Sequence, residues 1–331
     1  MVKGDNMVLE NLDLNAFKGK TYSRDNRTPI EKLYRSYLKL ADSPKWIVEE
    51  IDFHVAEKKG KKLLFPVFSF RTKKRGKAVW IISGIHGEEP AGPITIAKNI
   101  YLFEKLAKEG IPVVLIPLAN PTGYFRNWRY LSHPHSWIIG KSIGDSGHLL
   151  LTDNKPRRKK PRSFEADIFA TYVFDLTREY PPLFVLDFHE DNIKTIGQDT
   201  YYKYYKGDPA RTYIYSQGKF GSKDLIAREI IEIMRAYGHP LSMTGYAETR
   251  FKEKIVNGIV AGVKDSSIDE LLAANRIFLD GKIVRGPSAS SVIVIETLTN
   301  DFPLKHRVKI HEDILHSIKR FIQLSKKQVA K

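Results

Sequence analysis

The sequence predicts an α/β protein: one sheet-centred domain with long loops over a single edge of its sheet. Three observations carry this. A strand–helix–strand order runs from 78 to 118, short apolar runs of strand length recur at 183–188 and 291–296, and no repeat or linker divides the chain. The expected organisation is an amino-terminal arm and helix over 1–45, followed by one domain over 46–331.

Each element has a local reason. Residues 1–27 show no clear period and read as a loosely ordered arm. Thr28-Pro29-Ile30-Glu31 has the form of a capping box with proline in the first turn, which predicts a helix over 29–41. Two strands, 46–56 and 62–71, flank the polar turn KKGKK as a hairpin. A strand at 78–83 leads to a helix over 90–108 that buries Ile96, Ile100 and Phe103, and PVVLIPL gives a strand over 112–118. This order predicts a parallel pair with a right-handed crossover. Residues 120–162 are long, polar and rich in Pro, Gly, Trp and His, and a connection of that length in a compact domain is usually functional or disordered. A helix over 163–179 precedes the strand 183–188. A tyrosine-rich loop covers 189–218, and a helix covers 221–237. Residues 240–290 carry one helix start, at Ser267. The strand 291–296 and a helix over 304–324 close the chain.

Composition narrows the functional classes. The 331 residues are 42% hydrophobic and 28% charged, ordinary for a globular chain with a real core. No apolar h-region opens the sequence and no apolar run approaches a membrane span, so the cytoplasm is the expected compartment. There is no cysteine, so a disulfide framework and thiolate metal sites are excluded, and a metal would need imidazole and carboxylate. The net charge is 54 − 38 = +16, with six basic residues among the eight from Lys155 to Arg162. That run is a solvated loop or a surface for nucleic acid or anionic lipid, but no finger spacing or recognition-helix pattern accompanies it.

In open α/β sheets, functional groups gather beyond the carboxyl ends of the strands. There the chain places His86 and Glu89 after Ser83, Asn120 after LPL with Arg126 and Arg129 behind it, His189 after LFVLDF, and Glu296 after VIVI. Catalytic zinc takes three protein ligands, and two histidines with a glutamate form one known set. Glu296 could then move a proton, and a loop arginine could steady an oxyanion. Each signal alone has a plainer reading. His-x-x-Glu arises by chance, His189 could cap a loop, Glu296 could face solvent, and the arginines could pair with acids or stack on Trp128.

Taken together, G-x-H-G-x-E, N-P-x-G, D-x-H and a strand-terminal E-T resemble the zinc carboxypeptidase superfamily, near its succinylglutamate desuccinylase and aspartoacylase branch. The resemblance spans about 79–300. It implies a mixed, largely parallel central sheet flanked by helices. It also implies zinc held by His86, Glu89 and His189, with Glu296 as catalytic base. Arg129-Tyr130 is similar to an Arg-Tyr pair that this branch places near its substrate. The branch's Asn-Arg pair has no counterpart in LSHPHSWIIGKSIGDSGHLLLTDNK, where Asn154-Lys155 comes nearest. No tyrosine lies between Tyr246 and Glu296, and Arg250 is the candidate cation there, with a surface ion pair as its alternative. The expected protein is a zinc metallohydrolase acting on a peptide or N-acyl amino acid, anionic if the positive charge selects it. Asn120, Arg126, Tyr130 and Arg250 are the candidate substrate contacts. The competing expectation is a basic binding protein on a former hydrolase scaffold.

Overall fold

The computed structural model describes residues 12–58, 60–132, 142–191, 213–239, 253–300 and 302–330. Its strands are β1 (Trp46–Lys58), β2 (Lys61–Thr72), β3 (Ala78–Ser83), β4 (Val113–Ile116), β5 (Leu151–Thr152), β6 (Lys155–Pro156), β7 (Pro182–Asp191), β8 (Ile214–Gln217), β9 (Ile255–Val256), β10 (Ile259–Ala261), β11 (Arg276–Leu279), β12 (Lys282–Arg285) and β13 (Val292–Leu298). Its α-helices are α1 (Ile30–Tyr37), α2 (Ala91–Lys98), α3 (Ile100–Lys108), α4 (Pro121–Arg126), α5 (Phe164–Glu179), α6 (Leu225–Ala236), α7 (Ile268–Ala273), α8 (Leu304–His316) and α9 (Ile318–Val329).

Nine strands form one mixed sheet in the order β1-β2-β4-β3-β7-β13-β8-β10-β9. The four central strands, β4-β3-β7-β13, are parallel. Antiparallel pairs flank them, β2 on β4 and β8 on β13. Helices cover both faces, which explains why the central strands are apolar at nearly every position. Along β3, Val79 and Ile81 point into a core with α1, α2, α3, α6, α8 and α9, while Ala78, Trp80 and Ile82 meet α5 and α7. No helix among the described residues is long and apolar enough to cross a membrane.

Several elements differ from expectation for identifiable reasons. Within the expected arm, whose residues 1–11 lie outside the described residues, a 3₁₀ turn at Leu14–Phe17 buries Phe17 beside Tyr34 and Phe65. The capping box does not form. Pro29 is the N-cap, and the Thr21 hydroxyl, 3.1 Å away, accepts from the first helical N–H at Ile30. The helix expected over 90–108 breaks at Asn99, whose amide donates to the Thr95 carbonyl while its oxygen meets His316. The last helix breaks likewise at Ser317. The expected loop 189–218 ends in strand β8, which is too short to show a period, and its residues 192–212 lie outside the described residues.

On β1, His54 is 3% exposed and neither ring nitrogen has a hydrogen-bond partner among the described residues, with the Asp52 carboxylate 3.8 Å off. Burial lowers its pKa to about 3. The unfolded chain takes up this proton near pH 6.5, and the folded chain only near 3. Stability therefore rises with pH across that window. We expect about 2 kcal/mol more stability from this residue at pH 7 than at pH 5, and urea midpoints at the two pH values should lose that increment in His54→Leu. An unchanged increment would exclude His54 as its source.

Candidate metal centre

The corner after β3 is built by backbone demands. Gly84 has φ +67°, and its carbonyl accepts from the Asn120 N–H at 2.8 Å. Gly87 runs so close to the start of α4 that an added Cβ would lie 2.0 Å from the Gly123 carbonyl carbon. Only glycine fits there. Arg27, whose side chain is fully buried, fastens this contact by donating to the carbonyls of Gly87 and Tyr124 at 2.8 and 2.7 Å. Asp25 and Asn127 take its remaining donors. Beyond the corner, the Ala91 N–H at the start of α2 donates to the Glu190 carboxylate at 2.8 Å, and Glu190 is ion-paired with Arg307 of α8. These anchors fix where His86 and Glu89 stand.

His86, Glu89 and His189 converge. Glu89 turns Oε1 to His86 Nδ1 at 2.8 Å and Oε2 to His189 Nδ1 at 2.9 Å, and the two Nδ1 atoms are 3.2 Å apart. Ligands about 2.05 Å from a tetrahedral zinc stand about 3.3 Å from one another, so the set matches that ion in donor type and spacing. The tautomer suits it too. Asp187 Oδ2 lies 3.3 Å from His189 Nε2, which holds the proton there and turns the Nδ1 lone pair inward. Burial and the nearby Arg129 lower the His86 pKa to about 4, keeping that ring neutral. Burial opposes ionisation of Glu89, but His86 and His189 outweigh it and hold the carboxyl well below its usual range. Burial also opposes a charge on His189, yet Asp187 and Glu89 raise it. Glu89 and Asp187 thus favour positive charge at the rings, while burial and Arg129 oppose it at His86.

Glu296 on β13 is in register with His189 on β7, so both side chains stand on one sheet face. Burial, with Glu89 and Asp191 nearby, pushes its carboxyl well above the usual range, and His189 and Arg129 only partly oppose this. Arg129 Nη1 reaches Glu88 at 3.1 Å and Glu89 at 2.9 Å, and its guanidinium lies 5.8 Å from the Tyr130 ring centroid. Tyr130 is buried and meets His86 edge to face. Glu88 thus shares Arg129 with Glu89, and burial raises its carboxyl despite that arginine.

Other expected contacts are placed elsewhere. Asn120 is 0% exposed: it caps α4 through Gly123 N–H and donates to the Arg129 carbonyl at 3.2 Å, so it positions the arginine rather than facing substrate. Arg126 stacks on Trp128 at 4.5 Å and extends toward the Glu57 carbonyl, away from the histidines. Arg250 and Tyr246 lie outside the described residues. Asp153 and Asn154 form the left-handed turn of the β5–β6 hairpin. In the basic run, Arg157 is held by both oxygens of Glu270 at 2.6 Å. Arg27, Glu190 and Arg307 were missed by sequence reasoning. Their partners lie 60 to 117 residues away, and only the acidic D-F-H-E stretch hinted at Glu190.

Neither a protein-family model nor any curated protein sequence matches the chain. Solved structures do. A protein assigned as a metallopeptidase from Shewanella baltica OS155 superposes with TM-score 0.62 at 18% identity, covering 93% of this chain and 98% of its own. A similar protein from Shewanella amazonensis SB2B gives TM-score 0.59 at 16% identity, covering 88% and 93%. Bovine thrombin-activatable fibrinolysis inhibitor, in complex with tick carboxypeptidase inhibitor, gives TM-score 0.52 at 13% identity, covering 92% and 99%. The mixed sheet, its helical layers and these superpositions agree: the chain has the zinc carboxypeptidase-like α/β fold.

Proposed function

We propose that the chain is a zinc-dependent hydrolase that cuts an amide bond, either the carboxy-terminal bond of a peptide or the acyl bond of an N-acyl amino acid. The observation that carries this reading is one cluster: His86, Glu89 and His189 at tetrahedral spacing, with Glu296 in register beside His189. The Arg129-Tyr130 pair beside that cluster supports a place near the desuccinylase and aspartoacylase branch.

His86, Glu89 and His189 would hold the zinc. Bound there, zinc supplies a Lewis acid that brings the pKa of a water to about 7 and polarises a carbonyl. Glu296 takes the proton of the attacking water and returns it to the leaving nitrogen, a role suited to a carboxyl raised by burial. Arg129 donates to the carbonyl oxygen as negative charge develops, and its Nε–H has no acceptor among the described residues. Asn120 fixes the backbone from which Arg129 projects. Asp187 keeps His189 in the ligand tautomer.

The test is a panel of blocked dipeptides and N-acyl amino acids, offered to protein stripped by chelator and then reloaded with zinc. Hydrolysis should appear on reloading, with about one zinc per chain. A chain that retains no zinc, or that cuts no amide when loaded, sinks this reading.

A further inference from the structure

The basic run at 155–162 meets a second basic segment in the fold. The Arg157 N–H donates to the Leu150 carbonyl at 2.6 Å, and the Phe278 N–H on β11 donates to the Leu149 carbonyl at 2.8 Å, so the β5–β6 and β11–β12 hairpins lie side by side. Residues 151–162 and 276–285 together hold nine basic side chains against two acids, Asp153 and Asp280. Arg157 is spent on Glu270. Lys155, Arg158, Lys159 and Lys160 are exposed, and no described acid pairs with them.

The β11–β12 hairpin has two distinct faces. Ile277, Leu279 and Val284 pack into the core beneath α5 and α7. The register sets Phe278 opposite Ile283 and Arg276 opposite Arg285 on the outer face. Ile283 is 41% exposed, Phe278 is half-buried and both arginines are exposed. Two arginines directly opposed across a strand pair repel, and an anion lying against them relieves that cost. Phe164, 74% exposed, opens α5 two residues after Arg162. The first turn of α5 is tied to the same region by Asp167, whose Oδ1 lies 2.7 Å from His148 Nε2. Apolar side chains thus protrude from within a basic surface.

We propose that the two hairpins form a peripheral docking surface for anionic lipid. Such a bilayer answers both halves of the surface: headgroup anions meet the lysines and arginines, while Ile283 and Phe164 enter the boundary of the acyl chains. No spanning helix is needed. A nucleic acid would use the same charges, but it stacks its bases on open aromatic faces, and the exposed residue between the opposed arginines is the aliphatic Ile283.

Co-sedimentation of the full chain with vesicles tests it, with phosphatidylserine and phosphatidylcholine in equal parts set against phosphatidylcholine alone. The serine vesicles should bind at least about tenfold more tightly, and added salt should weaken them. Exchanging two exposed lysines, Lys159→Glu with Lys160→Glu, should cost at least about tenfold in that binding. Ile283→Ser should cost about threefold, because the serine has no apolar surface to insert. Equal binding to both vesicle types, or full retention by the double variant, overturns the proposal. So does an Ile283→Ser chain that binds serine vesicles unchanged, or a single-stranded oligonucleotide that binds the unaltered chain more tightly than those vesicles do. Either result would mark a surface for polyanions in solution rather than for lipid.

Discussion

Glu296→Gln should keep its zinc and lose about 10³- to 10⁴-fold in kcat, the upper range for removing a positioned general base. The amide has nearly the same shape as the carboxyl, so the β13–β7 register and the histidine pair should be undisturbed. What it cannot do is accept a proton and return it. In the proposed role Glu296 acts on the proton in flight and not on the bound ground state, so the effect should fall on kcat rather than on KM. Metal content by mass spectrometry and single-turnover kinetics decide it together. A loss smaller than tenfold with full zinc would remove Glu296 from the mechanism.

Glu89→Ala should have the largest effect on metal binding. Glu89 gives one oxygen to each histidine, accepts the Glu190 N–H at 3.2 Å and shares Arg129 with Glu88. Its loss removes a ligand and takes one of two carboxylates from the half-buried Arg129 guanidinium, so the arginine's charge then works against a cation in the same pocket. Zinc at a thousandfold excess over its Kd should stabilise the unaltered chain by about 4 kcal/mol, read as a rise in melting temperature. That rise should vanish in Glu89→Ala. A variant that still melts later with zinc would show that the ion sits elsewhere.

Both predictions concern residues that the sequence could point to. His86, Glu89, His189 and Glu296 were legible because each stands at the end of an apolar run, where strand endings are local signals. The central strands were legible for the same reason, and Ser163 caps α5 as its sequence suggests, accepting from Ala166 N–H at 3.0 Å. The supporting residues were not legible. Arg27 sits in a stretch without period, and its role depends on carbonyls 60 and 97 positions away. Asn120 read as a substrate group because its position beyond β4 was visible while its 0% exposure was not. Thr28 lost the capping role to Thr21 because chain reversal brought a closer hydroxyl. Burial and distant pairing decide such cases, and neither has a short-range pattern.

The two arginine anchors have a consequence for how the molecule comes into being. Arg27 grips the metal corner from near the start of the chain, and Arg307 steadies the following helix, through Glu190, from near its end. A ribosome that has made the first 300 residues has already made every candidate ligand, yet Arg307 is still to come. The nascent chain therefore carries the ligands before it can set their spacing. The final placement of the corner that carries His86 and Glu89 therefore has to wait for α8 to dock, so the order of synthesis itself sets when the proposed metal site can be complete.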